Sequence, residues 1–420
     1  MSTIATAEII AVGSELLGWT RVDTNSLFIS ERLAALGIQV TGKCVVGDDA
    51  ARLHAVFIGA LNRSDLIILT GGLGPTADDL TREVVAEALG LPLVEDPEIT
   101  ATIARRFARR GLQMPEVNRR QAMVPQEATV LRNPHGSAPG ILVEADDKLI
   151  VLLPGPPREL RPMFSSLCEG GQLAARAGAE RLLKASLFTT QRSESHVDEI
   201  AQPIYSLWRA EQPPIETTIL AAPGQVELHL SMRSADEASA VGRLNAARRQ
   251  LADALGDCVF SANGTPLHQL VGDMLRERHL TIAAAESCTG GLLLERLTEI
   301  PGSSEYVSGG IVAYTNELKI SLLGVNPALI EQHGAVSEPV VAAMADGIRE
   351  RTGASVSIAI TGIAGPGGGT SAKPVGTVVI AVLVTGKPMS IRTHSFPGDR
   401  DHVRFQATQA ALDTLRRLLV

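Results

Sequence analysis

The sequence is poor in aromatic residues and in cysteine. Phenylalanine, tyrosine and tryptophan make up 3% of its 420 residues, and the four cysteines lie far apart without a CxxC pair. This spacing argues against a thiolate zinc site and against a disulfide framework. No apolar run reaches the length of a membrane span, and the N-terminal segment lacks the basic stretch of a signal peptide. We therefore expect a protein of the reduced cytoplasm.

A basic excess is also missing. Forty-six acidic residues outnumber 38 lysines and arginines, and the formal net charge is −8 at pH 7. Proteins that bind nucleic acid directly usually carry basic patches, so we expect neither nucleic acid nor a membrane as a partner. What the sequence does contain is 45% hydrophobic residues over a length too great for one core, which favours two or three domains.

Strands and helices alternate in the first and last parts of the sequence. This alternation predicts an α/β fold with two α/β/α domains whose sheets are mainly parallel. The middle part instead follows the order β-α-β-β-α-β, with a strand pair across the turn APGQ, which predicts a small α+β domain. The predicted domains cover residues 1–171, 181–260 and 264–420.

A glycine-rich loop, TGGLGPTADDLTRE, follows the apolar strand DLIILTGG. Its glycines allow a sharp turn that presents N–H groups to an anion, at the start of a helix near Asp78. Asp78 and Asp79 are carboxylates suited to a divalent cation. The alternative is that one of them only caps the helix. Two further turns, GSELLGWTRVDTN and LLPGPPRE, follow other strands, and open parallel sheets bind ligands at such ends.

The stretch AAAESCTGGLL places Ser287 in a turn between a strand and a helix. Acyl transfer requires a nucleophile, a base and donors for the oxyanion. The segment AYTNELK offers Lys319 as a base if burial keeps it neutral, and Tyr314 to relay the proton or orient the lysine. The residue types leave Cys288 open as an alternative nucleophile. They also leave open that Ser287 or Thr289 only caps a helix, with a packed tyrosine and a surface lysine.

A second glycine-rich loop and two arginines complete the C-terminal pattern. The loop ITGIAGPGGGTSAKPVGTV follows an apolar strand and is long enough to wrap around a ligand. The segment FPGDRDHVRFQ places Arg400 and Arg404 at a helix start, where a cation gains nothing from the helix dipole. Arginine at that position favours capture of a phosphate or carboxylate. Together these features predict a hydrolase for a small phosphorylated substrate.

The motifs resemble those of the CinA (competence/damage-inducible) family over essentially the whole chain. AESCTGG, YTNELK, HGAVSEPVV, TGIAGPGGGT and GDRDHVR resemble its C-terminal nicotinamide mononucleotide deamidase domain. GSELLGWTRVDTN, TGGLGPTADDLT, NPHGSAPG and LPGPPRE resemble the molybdopterin-binding (MoaB/MogA-like) fold, which in this family is associated with metal-dependent ADP-ribose pyrophosphatase activity. The middle part is similar to the family's KH-type domain. It lacks a GXXG loop, so RNA binding is not implied.

The resemblance implies a bifunctional hydrolase of pyridine-nucleotide metabolism. It implies that Ser287 is the nucleophile, with Lys319 and Tyr314 as activating partners, and that the deamidase needs no cofactor. The pyrophosphatase would use Mg²⁺ or Co²⁺, and a homodimer is expected. The implied metal ligands are Asp23, Asp78 and Asp79. The implied substrate-binding residues are Thr289, Gly290, Gly291, Thr361, Gly362, Gly365, Gly367, Arg400 and Arg404 in the C-terminal domain, and Gly71, Gly72, Gly74, Thr76, Asn118 and Gly140 in the N-terminal domain.

The sequence is also compatible with other functions. The chain as a whole is alternatively a non-catalytic nucleotide-binding regulator linked to competence or DNA damage. The N-terminal domain is alternatively a molybdopterin-related binder. A further alternative is that only one of the two halves is active.

Overall fold

The computed structural model describes residues 3–145 and 147–420. Residues 1, 2 and 146, which fall in the predicted N-terminal domain, lie outside the described residues. The chain divides into two compact units. One contains the residues up to Leu183 with Arg233–Ala240, and the other contains Lys184–Met232 with Val241–Val420. This division does not separate the second and third predicted domains, whose boundary stays a prediction. Within the described ranges, no helix is long and apolar enough to cross a membrane.

The first unit alternates strands and helices along the chain. Its elements are β1 (Thr6–Val12), α1 (Asn25–Ala35), β2 (Gln39–Val46), α2 (Ala50–Arg63), β3 (Leu66–Thr70), α3 (Thr81–Ala88), β4 (Leu93–Glu95), α4 (Pro97–Ala108), β5 (Met123–Pro125), β6 (Thr129–Leu131), β7 (Gly140–Ala145), β8 (Lys148–Leu153) and α5 (Pro157–Glu169). Six strands form one sheet in the order β2-β1-β3-β8-β7-β6. The first four of these run parallel, whereas β7 and β6 are antiparallel to their neighbours. Strands β4 and β5 form a separate two-stranded sheet.

The central strands of this sheet are buried on both faces, which explains their short, continuous apolar runs. In β3, Ile67 packs into the core that contains Phe57 of α2. Its neighbour Ile68 packs into the core that contains Phe164 of α5. Because successive side chains of a strand point to opposite faces, one apolar strand supplies both cores.

The second unit contains a four-stranded and a five-stranded sheet. The elements of the middle part are β9 (Arg181–Thr189), α6 (Glu194–Trp208), β10 (Glu216–Ala222), β11 (Gln225–Ser234), α7 (Glu237–Leu255) and β12 (Val259–Ser261). Their order confirms the predicted β-α-β-β-α-β pattern, and β10 and β11 form the expected antiparallel pair, with Ala222 opposite Gln225. The strand order of this sheet is β10-β11-β9-β12. Assignment to the KH type stays a prediction.

The C-terminal part forms the five-stranded sheet, in the order β14-β13-β15-β16-β17. Its elements are α8 (Leu267–Glu277), β13 (Ile282–Glu286), α9 (Leu292–Thr298), β14 (Val307–Val312), α10 (Asn316–Leu323), α11 (Pro327–His333), α12 (Glu338–Thr352), β15 (Val356–Gly362), β16 (Thr377–Val384), β17 (Ser390–Ser395) and α13 (Arg400–Leu419). The predicted α/β class is confirmed. Strand β13 is parallel to β14 and β15, but β16 and β17 are antiparallel additions. The glycine-rich loop between β15 and β16 contains no crossover helix, so the chain turns back beside β15.

A close approach between two helices positions the segment that carries Lys319. A Cβ atom added to Gly347 of α12 would lie 1.8 Å from the carbonyl oxygen of Leu323, the last residue of α10. Real Cβ atoms do not come so close to backbone, so only glycine permits this packing. Because Lys319 lies one turn earlier in α10, the glycine also helps to set the depth of the lysine.

We expect the substitution Gly347→Ala to lower the free energy of unfolding by about 1–3 kcal/mol, because the added methyl group forces α10 away from α12. This sign is opposite to helix propensity, which favours alanine over glycine by about 1 kcal/mol. Gly242 on α7 is the matched control, since nothing outside its own helix lies within 4 Å of an added Cβ. Gly242→Ala should leave stability unchanged or raise it. Chemical denaturation measures both variants, and equal responses would contradict the packing argument.

Candidate functional site

The turn after β13 is held rigid by a buried carboxylate. Glu286 is fully buried, and its side chain accepts hydrogen bonds from the N–H groups of Gly291 (3.0 Å), Leu293 (3.1 Å) and Leu294 (3.0 Å). These are donors at the start of α9, which lack partners within their own helix. The carboxylate therefore fixes the path of the turn and, with it, the position of Ser287. The sequence reasoning gave Glu286 no role.

Lys319 lies against the hydroxyl of Ser287. Its Nζ atom is 3.0 Å from Ser287 Oγ, and it donates to the carbonyl oxygens of Ala313 (2.9 Å) and Tyr314 (3.4 Å). The lysine is 1% exposed and Ser287 is 8% exposed. A neutral amine has two N–H bonds and one lone pair. With both N–H bonds directed to carbonyls, the lone pair is left for the hydroxyl proton.

The surroundings of Lys319 favour this neutral form. Burial is the largest cause and lowers the pKa of its ammonium group from the ordinary value, while electrostatic interactions with Cys288 and Glu317 act in the opposite direction. Within the described part of the chain, the amine of Lys319 contacts a hydroxyl and two carbonyls and forms no ion pair with a carboxylate, and Glu317 is exposed. The interpretation of Lys319 as a surface charge is therefore wrong.

Cys288, the alternative nucleophile, is adjacent to Ser287 but poorly suited to react. It is 5% exposed, and burial raises the pKa of its thiol to about 12. The thiolate, which is the reactive form of cysteine, is thus scarce near neutral pH. The geometry favours the hydroxyl over the thiol.

Two of the backbone N–H groups in this turn are engaged in hydrogen bonds, and two have no carbonyl partner. The N–H of Ser287 donates to Ile360 (3.0 Å), and the N–H of Gly290 donates to Ser287 (3.1 Å). By contrast, the N–H groups of Cys288 and Thr289 donate to no carbonyl oxygen among the residues that the structure describes. Free N–H groups beside a nucleophile are suited to stabilise the oxyanion of a tetrahedral intermediate.

Tyr314 does not contact the reacting pair through its side chain. It is 54% exposed, and its hydroxyl accepts a hydrogen bond from Arg400 (2.8 Å), which also donates to the carbonyl of Gly365 (2.9 Å). Only the backbone carbonyl of Tyr314 meets Lys319. The structure therefore joins the tyrosine, the arginine and the second glycine-rich loop into one rim. A packed tyrosine, one of the alternatives drawn from sequence, is wrong.

Arg404 of α13 holds the serine turn from its other side. Its Nε and Nη2 atoms both donate to the carbonyl of Thr289, at 3.2 and 2.9 Å. Thr361 at the end of β15 donates to the carbonyl of Ala335 (2.9 Å). The remaining predicted residues complete this region: Gly290 and Gly291 in the turn with positive φ angles, Gly362 at the end of β15, and Gly367 exposed in the following loop.

Lys373 anchors the second glycine-rich loop and is absent from the sequence predictions. Its Nζ atom donates to the carbonyl oxygens of His333 (2.9 Å), the last residue of α11, and Val336 (2.7 Å) in the turn that follows. A lysine within a polar loop has no spacing signal that distinguishes an anchor from a surface charge. Only the fold brings the two carbonyls to it.

A second candidate site lies at the carboxyl ends of the parallel strands in the first unit. A cavity of about 370 Å³ is lined there by the glycine-rich loop after β3. Gly71 has a φ of 97°, and a Cβ at this position would lie 2.2 Å from the carbonyl oxygen of Val12. The sharp turn therefore requires glycine, as expected. The predicted residues that line the cavity are Gly71, Gly72, Gly74, Thr76, Asp78 and Asp79.

The three predicted metal ligands are not gathered at one point. Asp79 closes its own loop by accepting from Gly74 N (2.8 Å) and Thr76 N (2.9 Å). Asp23 caps the start of α1 by accepting from the N–H groups of Asn25 and Ser26, both at 3.0 Å. Over residues 3–145 and 147–420, no group of three or more His, Cys, Asp or Glu side chains is placed to hold a metal ion. The three aspartates therefore do not fit a preformed metal site.

The helix after this loop begins at Thr81, later than the prediction near Asp78, because the Asp79 hydrogen bonds keep the intervening residues in a closed loop. Arg120 donates to the carbonyls of Thr76 (2.5 Å) and Asp79 (3.1 Å) and thus holds this loop.

Two other predicted residues have local roles. Asn118 donates to Gln121 (3.1 Å), and Gly140 begins β7, where an added Cβ would lie 2.7 Å from Met163. Neither lines the cavity.

The described lining of this cavity is acidic. It includes Asp48 and Glu159, which the sequence analysis does not single out, together with Glu15, Asp78 and Asp79. Among its described residues there is no lysine, arginine or histidine. Asp78 is fully exposed, and a hydrogen bond from Thr76 is the main cause that holds the pKa of its carboxyl below the usual value. The cavity is therefore negatively charged at neutral pH.

Comparisons with known proteins cover the whole chain. The family model for the CinA C-terminal domain matches residues 264–419, and that for a probable molybdopterin binding domain matches residues 8–171. A CinA-like protein of Koribacter versatilis (strain Ellin345) is 46% identical over 418 residues, which are 99% of this chain and 100% of that protein. A putative competence-damage inducible protein of Symbiobacterium thermophilum is 46% identical over 425 residues, covering 99% of each.

Among solved structures, the competence/damage inducible protein CihA from Agrobacterium tumefaciens is 38% identical. It covers 36% of this chain and 93% of its own, with a TM-score of 0.36. The two family models and the full-length relatives together place a molybdopterin-binding-like domain before a CinA C-terminal domain. This chain belongs to the CinA family.

Proposed function

We propose that the C-terminal domain hydrolyses the carboxamide of nicotinamide mononucleotide and releases ammonia and nicotinate mononucleotide. The observation that carries this proposal is the contact of 3.0 Å between Ser287 Oγ and the buried, carboxylate-free amine of Lys319. A serine hydroxyl is a weak nucleophile at neutral pH and becomes effective when a neighbouring base accepts its proton. A neutral lysine is such a base.

The proposed reaction proceeds in two stages. In the first, Ser287 Oγ attacks the carboxamide carbon while its proton passes to Lys319, and the free N–H groups of Cys288 and Thr289 stabilise the oxyanion. The carbon–nitrogen bond then breaks, and Lys319 returns the proton to the departing ammonia. In the second stage, water gives one proton to Lys319 and attacks the acyl carbon. Lys319 then returns this proton to Ser287 Oγ as the ester bond breaks, and the acid product loses its remaining proton to solvent.

The rim residues are suited to the phosphate of the substrate. The guanidinium of Arg400 donates to the hydroxyl of Tyr314 and to the carbonyl of Gly365 in the second glycine-rich loop. Arginine binds phosphate oxygens through parallel hydrogen bonds. We therefore assign Arg400 to the phosphate, Tyr314 to its orientation, and Arg404 to the support of the turn.

Ser287→Ala should reduce ammonia release from nicotinamide mononucleotide by a factor of about 10³ or more, because it removes the nucleophile. Cys288→Ala is the matched control at the next position. It should retain activity within a factor of about three, since the buried thiol takes no part. The rates are measured by coupled ammonia detection. Retained activity in Ser287→Ala, or a comparable loss in Cys288→Ala, would remove serine as the nucleophile.

The activity should rise with pH through the lowered pKa of Lys319, because only the neutral amine accepts the hydroxyl proton. Lys319→Met and Lys319→Arg should both abolish turnover, the second because a guanidinium stays protonated. Lys387→Met, a change at an exposed lysine, is the control and should leave the profile unaltered. A flat pH profile in the wild type would contradict the role of Lys319 as base.

The stability of the protein should show the same titration. Between the lowered pKa of Lys319 and the ordinary value of 10.5, the unfolded chain binds more protons than the folded one, so stability rises with pH. This contribution is complete only above 10.5. Urea unfolding should therefore show that the free energy of unfolding of the wild type, relative to Lys319→Met, is higher at pH 9.5 than at pH 7. A difference that does not change with pH would show that the lysine is charged in the folded state.

We also propose that the N-terminal domain hydrolyses ADP-ribose in the presence of a divalent cation. The supporting observation is the acidic cavity at the carboxyl ends of the strands, whose described lining contains no basic side chain. Five carboxylates in the lining repel a free pyrophosphate, so a divalent cation would be needed to offset their charge. Such a cation would supply neutralisation of the phosphate charge and polarisation of the phosphorus centre. Asp78 and Glu15 are the exposed carboxylates among the described lining residues, and Asp78 belongs to the glycine-rich loop itself. Asp23 and Asp79 have structural roles.

Asp78→Ala should lower ADP-ribose turnover measured with added Mg²⁺ or Co²⁺ by at least about tenfold, because one carboxylate for the cation is lost. Glu31→Gln removes a charge from the exposed face of α1, outside the cavity, and is the control. Ammonia release should be unaffected by either change. Turnover that persists in chelator, or that Asp78→Ala leaves intact, would overturn this second proposal.

A further inference from the structure

The second unit contains a cavity that neither proposed reaction uses. It has a volume of about 570 Å³ and lies between the β10–β11 hairpin, the start of α6, strand β17 and helix α13. Cavities of roughly 300–1,000 Å³ are typical of small-molecule sites. Its size is thus sufficient for a nucleotide.

The walls of this cavity are joined by direct hydrogen bonds. Gln409 of α13 donates to Gln225 of the hairpin (3.0 Å), and Gln191 donates to the fully buried carboxylate of Asp413 (2.7 Å). Thr190 donates to the carbonyl of Gly224 (3.1 Å). These bonds fix the hairpin and α13 relative to each other, so the cavity is part of the fold.

The charged groups of the lining favour an anion. Arg192 and Arg392 line the cavity, and neither guanidinium has a hydrogen bond or ion pair in the part of the chain that the structure describes. Among the described lining residues, Glu194 is the only carboxylate. The N–H groups of Glu194 and Ser195, in the first turn of α6, meet no acceptor within the described ranges. Two free arginines beside the start of a fifteen-residue helix are suited to a phosphate.

The other wall is apolar and contains an aromatic pair. The rings of His394 and Phe396 stack at 5.1 Å with an angle of 8° between their planes. Ala222, Val226 and Ala410 extend the apolar surface. A ligand with a phosphate at one end and a flat, weakly polar ring at the other matches both walls.

We propose that this cavity binds a nucleoside monophosphate, with its phosphate on Arg192 and Arg392 and its base on the apolar wall. The site differs from the acidic cavity of the first unit, because it supplies cationic donors itself and needs no metal ion. It also differs from the serine turn, whose residues do not line it.

The position of the cavity links its occupancy to the rim of the candidate active site. Phe396 in the cavity wall lies four residues before Arg400, and Gln406 donates to the carbonyl of Pro397 between them (2.8 Å). Asp399 then caps α13 by accepting from His402 N (2.9 Å). A ligand that contacts Phe396 and Gln406 therefore also affects the position of the segment before Arg400. We expect occupancy to change the KM for nicotinamide mononucleotide, and this second part rests on the proposed deamidase activity.

Binding is tested on the full-length Ser287→Ala protein by isothermal titration with AMP as the only nucleotide, in metal-free buffer with a chelator. Nicotinamide mononucleotide is left out because it is itself a nucleoside monophosphate, and ADP-ribose because its turnover would release AMP. AMP should bind one site per chain, and the double variant Arg192→Ala/Arg392→Ala should raise its Kd at least tenfold. Arg249→Ala, the same change on the exposed face of α7, should not alter the Kd. Adenosine and inorganic phosphate, titrated separately, should each bind more weakly than AMP.

Three results would overturn the site: no binding of AMP at millimolar concentration, an unchanged Kd in the double variant, or adenosine binding as tightly as AMP. The link to the rim is measured separately, as the KM for nicotinamide mononucleotide with and without AMP. A shift in the wild type that the double variant lacks supports the link, and an unchanged KM contradicts it. Because the binding titration requires no turnover, it stands even if the chain does not deamidate this substrate.

Discussion

A lysine buried without a carboxylate is the constraint on which the C-terminal half depends. Lys319 is 1% exposed, and its amine meets two backbone carbonyls and one hydroxyl. Neutral carbonyls satisfy an amine without attracting a proton as a carboxylate does, so burial can lower the pKa of the lysine. An aspartate in place of either carbonyl would have made the lysine a structural cation. Gly347 permits the close packing of α10, and Glu286 fixes the serine turn. Both therefore help to keep Lys319 in contact with Ser287.

Much of the fold can be predicted from local patterns in the sequence. Short apolar strands followed by amphipathic helices are enough to predict both α/β sheets, and the turn APGQ is enough to predict the β10–β11 pair. The antiparallel addition of β16 and β17 is harder to foresee, because a glycine-rich loop is compatible with either strand direction. Which strands lie side by side is decided by contacts between residues far apart in the chain, and a single sequence does not record these.

In the candidate site, too, some features can be predicted from local sequence and others depend on contacts between distant residues. Ser287 and Lys319 were predictable as a pair, since each follows a strand end and their chemistry is complementary. The orientation of Tyr314 was not, because the side chain of a tyrosine five residues before the lysine points wherever the fold provides a partner, here Arg400. Asp23 and Asp79 show the opposite limitation. A carboxylate at a turn serves equally well as a metal ligand or as a cap, and only the positions of nearby N–H groups distinguish the two.

The last helix of the chain contributes more than packing. Arg404 donates to the carbonyl of Thr289, which lies 115 residues earlier in the chain. Arg400 connects Tyr314 with the glycine-rich loop at Gly365. Ser287 is therefore translated long before the arginine that holds its turn, and the turn gains this support only after α13 has been synthesised. The support is thus a contact of high sequence separation, and its formation carries the loop-closure entropy of the intervening chain.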